Sequence, residues 1–245
     1  MYNEDCLGTM AKMPDNFVDL VVTSPPYNKN GFREGKKETR KSSGKWKRWD
    51  NASIEYDNYD DNLTEHAYWL WQNKLFNEFY RILKPSGSLF YNHKVRRYNS
   101  KAHHPLIGLQ QNRMQFYQQI IWDRGSGVDN NLAYLQPTTE LILWFVKDKP
   151  KVSKANAFLR TEVWYLMPDM GNKHPAPFPL KLAANCILLA SAQNDIIYDP
   201  FMGSGTTAIA CINNDRNFIG SEISKEYVDL ANKRIGDHKA QYKLL

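Results

Sequence analysis

The chain has 245 residues, of which 42% are hydrophobic and 24% are charged. This length and composition suit one α/β domain with a sizeable core, and they exclude a disordered chain. The formal net charge of +6 suits a polyanionic partner. The three cysteines, Cys6, Cys186 and Cys211, are too widely spaced for a zinc site or a disulfide framework, so we expect no metal. Without a signal peptide or an apolar run that could cross a bilayer, the sequence predicts a soluble cytoplasmic protein.

Strand and helix signals alternate along the chain. The β-branched run 17–23 ends at two prolines and predicts a buried strand. A helix is expected from an N-cap at Thr64 to about Leu83. Further strands are predicted at 88–93, 116–122, 140–147, 195–199 and 217–221, and further helices at 180–192, 206–212 and 225–235. This alternation predicts a mostly parallel sheet with helices on both faces, in a single domain that spans 1–245.

A glycine-rich turn at 199–207, Asp-Pro-Phe-Met-Gly-Ser-Gly-Thr-Thr, joins a predicted strand to a predicted helix. Such a turn lets the backbone approach a ligand and directs the N–H groups of the helix N-terminus at it. The turn has no lysine and is therefore not a phosphate-binding P-loop. Glu222, after the next strand, could accept both hydroxyls of a ribose. The combination predicts a nucleoside cofactor site, the alternative being an ordinary tight turn.

A second motif, Thr-Ser-Pro-Pro-Tyr at 23–27, follows the first predicted strand. The prolines fix the backbone and remove two N–H donors, which leaves the Ser24 hydroxyl and the carbonyls of Ser24 and Pro25 as acceptors. A nucleobase amino group offers two N–H donors, and Tyr27 offers a flat face for a flipped base. We predict Ser24, Pro25, Pro26 and Tyr27 as catalytic residues that aim the amine lone pair at a methyl sulfonium. The alternative is that the prolines merely end a strand.

Together, these motifs resemble the N4-cytosine/N6-adenine DNA methyltransferase family, in the permuted class in which the catalytic motif precedes the cofactor motif. The resemblance extends over nearly the whole chain and includes 3–7, 81–88 and 174–179. It implies a doubly wound, Rossmann-like sheet, mostly parallel with an antiparallel edge strand, for which 140–147 is the candidate. It also implies S-adenosyl-L-methionine as the methyl donor, S-adenosyl-L-homocysteine as the product and no metal. The implied cofactor-binding residues are Asp5, Cys6, Asp199, Phe201, Gly203, Ser204, Gly205, Thr206 and Glu222.

The resemblance implies methylation of the exocyclic amine of a base that is flipped out of duplex DNA. Serine at the head of the first motif and His-Pro-Ala-Pro-Phe-Pro at 174–179 favour cytosine N4. The same chemistry on adenine N6 is the alternative. A second alternative is a catalytically silent nucleic-acid-binding subunit of this fold, although such a subunit has no reason to keep both motifs.

The basic segment 28–53 follows Tyr27 and predicts a mobile loop where a flipped strand would enter. The predicted phosphate contacts are Lys36, Lys37, Arg40, Lys41, Lys45, Lys47 and Arg48. A solvated loop without DNA contacts is the alternative, as for most charge runs. Sequence recognition is expected within 94–136. The implied partner is double-stranded DNA, with a cognate restriction endonuclease and a second copy of the chain as further candidates, and the implied source is bacterial or phage.

Overall fold

A seven-stranded sheet with helices on both faces forms the body of the protein in the computed structural model. The structure describes residues 1–28, 63–98, 101–125, 127, 134–153, 159–167 and 179–242. The strands are β1 Val18–Thr23, β2 Leu83–His93, β3 Arg96–Tyr98, β4 Lys101–His103, β5 Gln115–Asp123, β6 Thr139–Val146, β7 Val163–Tyr165, β8 Ile196–Asp199 and β9 Asn217–Gly220. The helices are α1 Cys6–Ala11, α2 Glu65–Ile82, α3 Pro105–Gly108, α4 Leu180–Ala190, α5 Thr206–Ile212 and α6 Lys225–Tyr242.

The strand order is β7-β5-β6-β2-β1-β8-β9. The neighbours β2, β1, β8 and β9 run parallel, and β6 runs antiparallel to both β2 and β5. The predicted doubly wound and mostly parallel sheet is therefore confirmed. Its antiparallel strand is β6, as expected, but it lies inside the edge because β5 and the short β7 pair beyond it.

The sheet is apolar on both faces because helices cover both. In β1, Val18 and Val21 lie in a core cluster with Phe76 of α2, whereas Leu20 lies in a second cluster with Ile187 of α4. All of these side chains are fully buried. Strands that are buried on both faces read as continuous apolar runs, which is why β1 and β6 were detectable from sequence.

The helix α2 begins as predicted, because the Thr64 side chain accepts a hydrogen bond from the Ala67 N–H at 3.2 Å. It ends at Ile82, next to the expected Leu83, and the chain then passes directly into β2 at Leu83, which is fully buried and pairs with Val18. Because β2 begins five residues before the strand predicted at 88–93, the segment 85–87 also lies inside β2. Its carbonyls accept hydrogen bonds from the backbone of 147–151.

Five short elements were not predicted from the sequence, namely α1, α3, β3, β4 and β7. The helix α6 also continues to Tyr242, beyond the expected end near Ile235, because its last turns are exposed and carry no apolar period. No helix in the described part of the chain is long and apolar enough to span a bilayer.

Candidate active site

The carboxyl ends of the parallel strands bring the two sequence motifs together. Ser24 follows β1, Asp199 ends β8 and Glu222 comes shortly after β9, so all three lie at one edge of the sheet. The Thr23 hydroxyl donates a 3.0 Å hydrogen bond to Asp199 Oδ1. This bond joins the first motif directly to the glycine turn. Ligands of open α/β sheets bind at this edge.

Asp199 organises the glycine turn from inside the protein. Its two carboxylate oxygens accept hydrogen bonds from the hydroxyls of Thr23 and Thr207 and from the Phe201 N–H. Burial nevertheless raises the pKa of Asp199 to about 6, since these bonds offset only part of the cost of desolvation. The Asp199 side chain thus holds the turn in place, and a ligand would contact the backbone of the turn rather than this carboxylate.

Two glycines of the turn adopt backbone conformations that other residues rarely tolerate. Gly203 has φ 51° and Gly205, the N-cap of α5, has φ 86°. A Cβ added to Gly205 would also lie 3.2 Å from the Cβ of Ala231. The turn therefore needs glycine both for its backbone angles and for its packing against α6.

Glu222 is bound to the same turn. One carboxylate oxygen accepts the Gly203 N–H and the other accepts the Ser224 N–H, each at 2.9 Å. Burial raises the pKa of Glu222 above its ordinary range. Each oxygen keeps a second lone pair, so the carboxylate can still accept hydroxyl hydrogens.

The N-terminal residues close this side of the site. Tyr2 pairs with Ser221 in a parallel bridge, and the Asn3 amide donates to the carbonyls of Glu222 and Ile223. Asp5 caps α1 by accepting the Leu7 N–H, and Cys6 is buried. The structure thus brings Asp5 and Cys6 to the neighbourhood of Glu222, 217 positions later in the sequence. Asn3, which makes this junction, was not singled out from the sequence.

The remaining predicted cofactor residues belong to the same turn. The Phe201 ring meets the edge of Trp71 at 5.8 Å between centroids. Ser204 is buried and its hydroxyl accepts from Arg234, and Thr206 is the first residue of α5. The donor set fits S-adenosylmethionine, because acidic groups and backbone N–H groups suit ribose hydroxyls and a sulfonium, whereas 199–207 contains no lysine or arginine for a phosphate.

The Ser-Pro-Pro-Tyr motif lies beside this turn and carries a hydrogen-bonded cluster. The Ser24 hydroxyl is 3.0 Å from the Tyr27 hydroxyl, and Asn92 Nδ2, near the end of β2, donates to both. Glu140 Oε2 lies 3.2 Å from the Tyr27 hydroxyl and 3.2 Å from Asn92 Nδ2. Arg124 Nη1 donates to the other Glu140 oxygen at 3.2 Å.

Buried neutral groups support the Tyr27 ring. The His93 ring lies 4.7 Å from it, and burial lowers the pKa of His93 to about 3. The Tyr68 hydroxyl lies 2.9 Å from His93 Nε2 and 3.0 Å from the Pro26 carbonyl. Burial of the Tyr27 hydroxyl, together with the negative charge of Glu140, raises its pKa well above the usual value. Tyr27 therefore remains a protonated phenol at neutral pH.

Asn92, His93, Arg124 and Glu140 were not predicted as site residues. Asn92 and His93 end a predicted strand, which is a weak signal. Glu140 is the second residue of β6, and only the antiparallel direction of β6 brings its first residues to the edge where the parallel strands end. Local sequence patterns do not show which strands pair with each other when the strands are distant in sequence.

Several predicted features lie outside the described residues. These are the basic segment from 29 onward with Lys36, Lys37, Arg40, Lys41, Lys45, Lys47 and Arg48, and most of the 174–179 motif. Among the residues that the structure describes, no group of His, Cys, Asp and Glu could hold a metal ion.

A mostly parallel sheet carries, at one edge, a glycine turn, an acidic residue after the next strand and a Ser-Pro-Pro-Tyr motif. This combination is typical of S-adenosylmethionine-dependent methyltransferases. Residues 18–233 match the model of the N6/N4 DNA methylases, and the chain belongs to that DNA methylase family. It is similar to the type II methyltransferase M.BglII of Bacillus subtilis, with 30% identity over 268 residues that cover 94% of this chain and 67% of the relative. M2.MboI of Moraxella bovis is 28% identical over 261 residues, which cover 96% and 86% of the two chains.

Solved structures support the fold. The PvuII DNA methyltransferase, described as cytosine-N4-specific, superposes with a TM-score of 0.75 at 20% identity and covers 97% of this chain and 90% of its own. The M1.HpyAVI complex with S-adenosylmethionine gives a TM-score of 0.59 at 24% identity, with coverage of 96% and 97%. The solved structures confirm the predicted fold, while the family match and the relatives confirm the predicted family and, with it, S-adenosylmethionine as the methyl donor.

Proposed function

We propose that the chain methylates the exocyclic N4 amine of a cytosine flipped out of duplex DNA. The observation that carries the proposal is the hydrogen-bonded group of Ser24, Tyr27 and Asn92. This group lies next to Thr23, whose hydroxyl bonds Asp199 of the cofactor turn. Asn92 is 4% exposed, and its Oδ1 meets no donor in the described part of the chain. A buried acceptor without a donor suits a ligand that brings N–H groups, as a base amine does.

The choice of cytosine rests on Ser24 itself. A hydroxyl is a weaker acceptor than the aspartate that often heads the motif in adenine enzymes, and the form of 174–179 points the same way. The name of the PvuII enzyme, which states cytosine-N4 specificity, agrees with this choice. Adenine N6 is the second candidate, because an adenine amine offers the same two N–H donors.

In this mechanism the protein contributes mainly position. Asp5 and Cys6 would border the cofactor adenine, Glu222 its ribose, and 199–206 its methionine part. When bound, the cofactor supplies an electrophilic methyl group. The Ser24 hydroxyl and the Pro25 carbonyl accept the amine hydrogens, which localises the nitrogen lone pair, and Tyr27 stacks on the flipped base.

DNA contacts are proposed for two regions. The cations from Lys36 to Arg48 would neutralise phosphates beside the flipped base. Base recognition would lie within 94–136, where the β3–β4 hairpin forms a separate two-stranded sheet and Ile107 of α3 is exposed. Since the relatives named above are type II methyltransferases, we further propose a role in restriction–modification, with a cognate endonuclease and a homodimer as partners to test.

The test is to incubate the protein with S-adenosylmethionine and mixed-sequence duplex DNA, digest the DNA to nucleosides and identify the methylated base by mass. N4-methylcytosine would support the proposal. N6-methyladenine would keep the mechanism and overturn the base assignment. Cofactor binding without methylation of any DNA would favour the silent subunit instead.

A further inference from the structure

Glu140 is a mostly buried carboxylate that the mechanism above does not use. Only 12% of its side chain is exposed, and Arg124 lies 3.2 Å from Oε1. The other oxygen, Oε2, faces the catalytic motif, 3.2 Å from the Tyr27 hydroxyl and 3.2 Å from Asn92 Nδ2. A buried carboxylate this close to the predicted catalytic residues is a candidate for orienting them.

The carboxylate sets the direction of the hydrogen bonds around it, because an ionised carboxylate can only accept. Tyr27 must therefore direct its O–H toward Glu140. Asn92 must direct its NH₂ rather than its carbonyl oxygen toward Glu140, and this orientation also places Nδ2 2.8 Å from the Tyr27 oxygen.

The Ser24–Tyr27 hydrogen bond then has one consistent direction. By distance alone, either hydroxyl could be its donor. Since the single Tyr27 hydrogen is committed to Glu140, Ser24 has to donate to the Tyr27 oxygen. That oxygen accepts from Ser24 and Asn92 and donates to Glu140, which uses its full hydrogen-bonding capacity. Asn92 Nδ2 lies 3.3 Å from Ser24 Oγ but has only two hydrogens for three acceptors, so this contact is at most a shared bond and Ser24 Oγ keeps at least one lone pair.

We propose that Glu140 is a positioning residue that acts through Tyr27 to turn the Ser24 hydrogen away from the base and keep Ser24 Oγ as an acceptor for the target amine. The inference rests on the proposed amine methylation. Without the carboxylate, the chain Ser24–Tyr27–residue 140 could run in either direction. In the reversed direction the Ser24 O–H would point at the amine hydrogens, and the target amine could not take up the orientation that it needs for methyl transfer.

The test uses four variants of the full chain: Glu140→Gln, Tyr27→Phe, the double variant, and Glu78→Gln as a matched control. Glu78 also pairs with an arginine, Arg81 at 2.8 Å, but it lies on α2 outside the catalytic cluster. The measurements are kcat and KM for DNA methylation, the Kd for S-adenosylmethionine by calorimetry, and the melting temperature of each variant.

Glu140→Gln should lower kcat about 10- to 100-fold. This is less than the roughly 100- to 1,000-fold loss for removing a group that bonds the reacting atoms, because Glu140 acts through Tyr27. The KM for DNA and the affinity for the cofactor should stay within about twofold, because Glu140 orders the site without supplying its binding surface. Glu78→Gln should match the wild type. In the Tyr27→Phe background, Glu140→Gln should cause no further loss, since the group through which it acts is gone.

The proposal is overturned by a wild-type kcat in Glu140→Gln, or by the same fold loss with and without the Tyr27 hydroxyl. If Glu140→Gln does not fold, Tyr27→Phe decides alone, because it keeps the stacking ring and removes only the hydroxyl. Unchanged turnover in Tyr27→Phe would refute the inference. The two failures can be told apart. A wild-type protein that methylates no DNA overturns the proposed function, whereas an active wild type with an equally active Glu140→Gln variant overturns only the role of Glu140.

Discussion

Replacing Asp199 by Asn should remove a cost of charge burial that grows with pH. Asp199 is 1% exposed and lies under the glycine turn. In the variant, the Asn oxygen can keep the bonds from Thr23 and Phe201, and its NH₂ can donate to the Thr207 hydroxyl, which is free to rotate. The substitution therefore changes the charge and preserves most of the hydrogen bonds.

The magnitude follows from the pKa of Asp199, which burial raises from an ordinary 3.8 to about 6. A group whose pKa is raised in the folded state stabilises the fold fully below its unfolded pKa and loses that contribution as pH rises through the folded pKa. The shift corresponds to about 3 kcal/mol, of which roughly half is lost between about pH 5 and about pH 8. Glu222 adds to the shift through its charge, and it is present in both proteins.

The assay is urea unfolding of the wild type and of Asp199→Asn across this pH range. The free energy of unfolding of the variant, relative to the wild type, should increase by about 1.5 kcal/mol from the acidic to the alkaline end. Parallel pH profiles for the two proteins would refute the reasoning, because they would mean that the Asp199 carboxylate has the same pKa folded and unfolded.

Three further predictions concern the two motifs. Tyr27→Ala or Pro25→Ala should remove most methylation, about 100-fold or more, while calorimetry shows intact cofactor binding; wild-type turnover in either variant would contradict the amine-accepting model. Gly203→Val should abolish S-adenosylmethionine binding, because φ 51° disfavours a β-branched residue and the side chain would fill the turn; normal affinity by calorimetry would disprove this. Thr23→Val should lower the free energy of unfolding by about 1–3 kcal/mol in urea, since buried Asp199 loses one donor, and an unchanged midpoint would show that this bond contributes nothing.

The sequence determined the sheet and the nature of the chemistry. The buried parts of β1 and β6 are mainly apolar runs, so these strands could be located without a structure. The glycine turn and the two consecutive prolines are informative by themselves, because glycine readily adopts the positive φ that tight turns need and proline fixes φ. These local patterns predicted a mostly parallel α/β sheet and a nucleoside cofactor site. The family and the methyl donor were predicted from the resemblance of the two motifs to a known family, and the comparisons confirm them.

Only the tertiary structure decided which groups surround Ser24. The strand that carries Glu140 enters the sheet antiparallel to β2, so its first residues meet the ends of strands that are distant in sequence. Likewise, Asn3 and Glu222 come together because the N-terminal residues pair beside β9. Local sequence patterns report which face of an element is buried, whereas strand order and direction depend on packing between distant segments. For that reason the two motifs could be predicted from the sequence, whereas the positions of Glu140, Asn92 and His93 beside the first motif are known only from the structure.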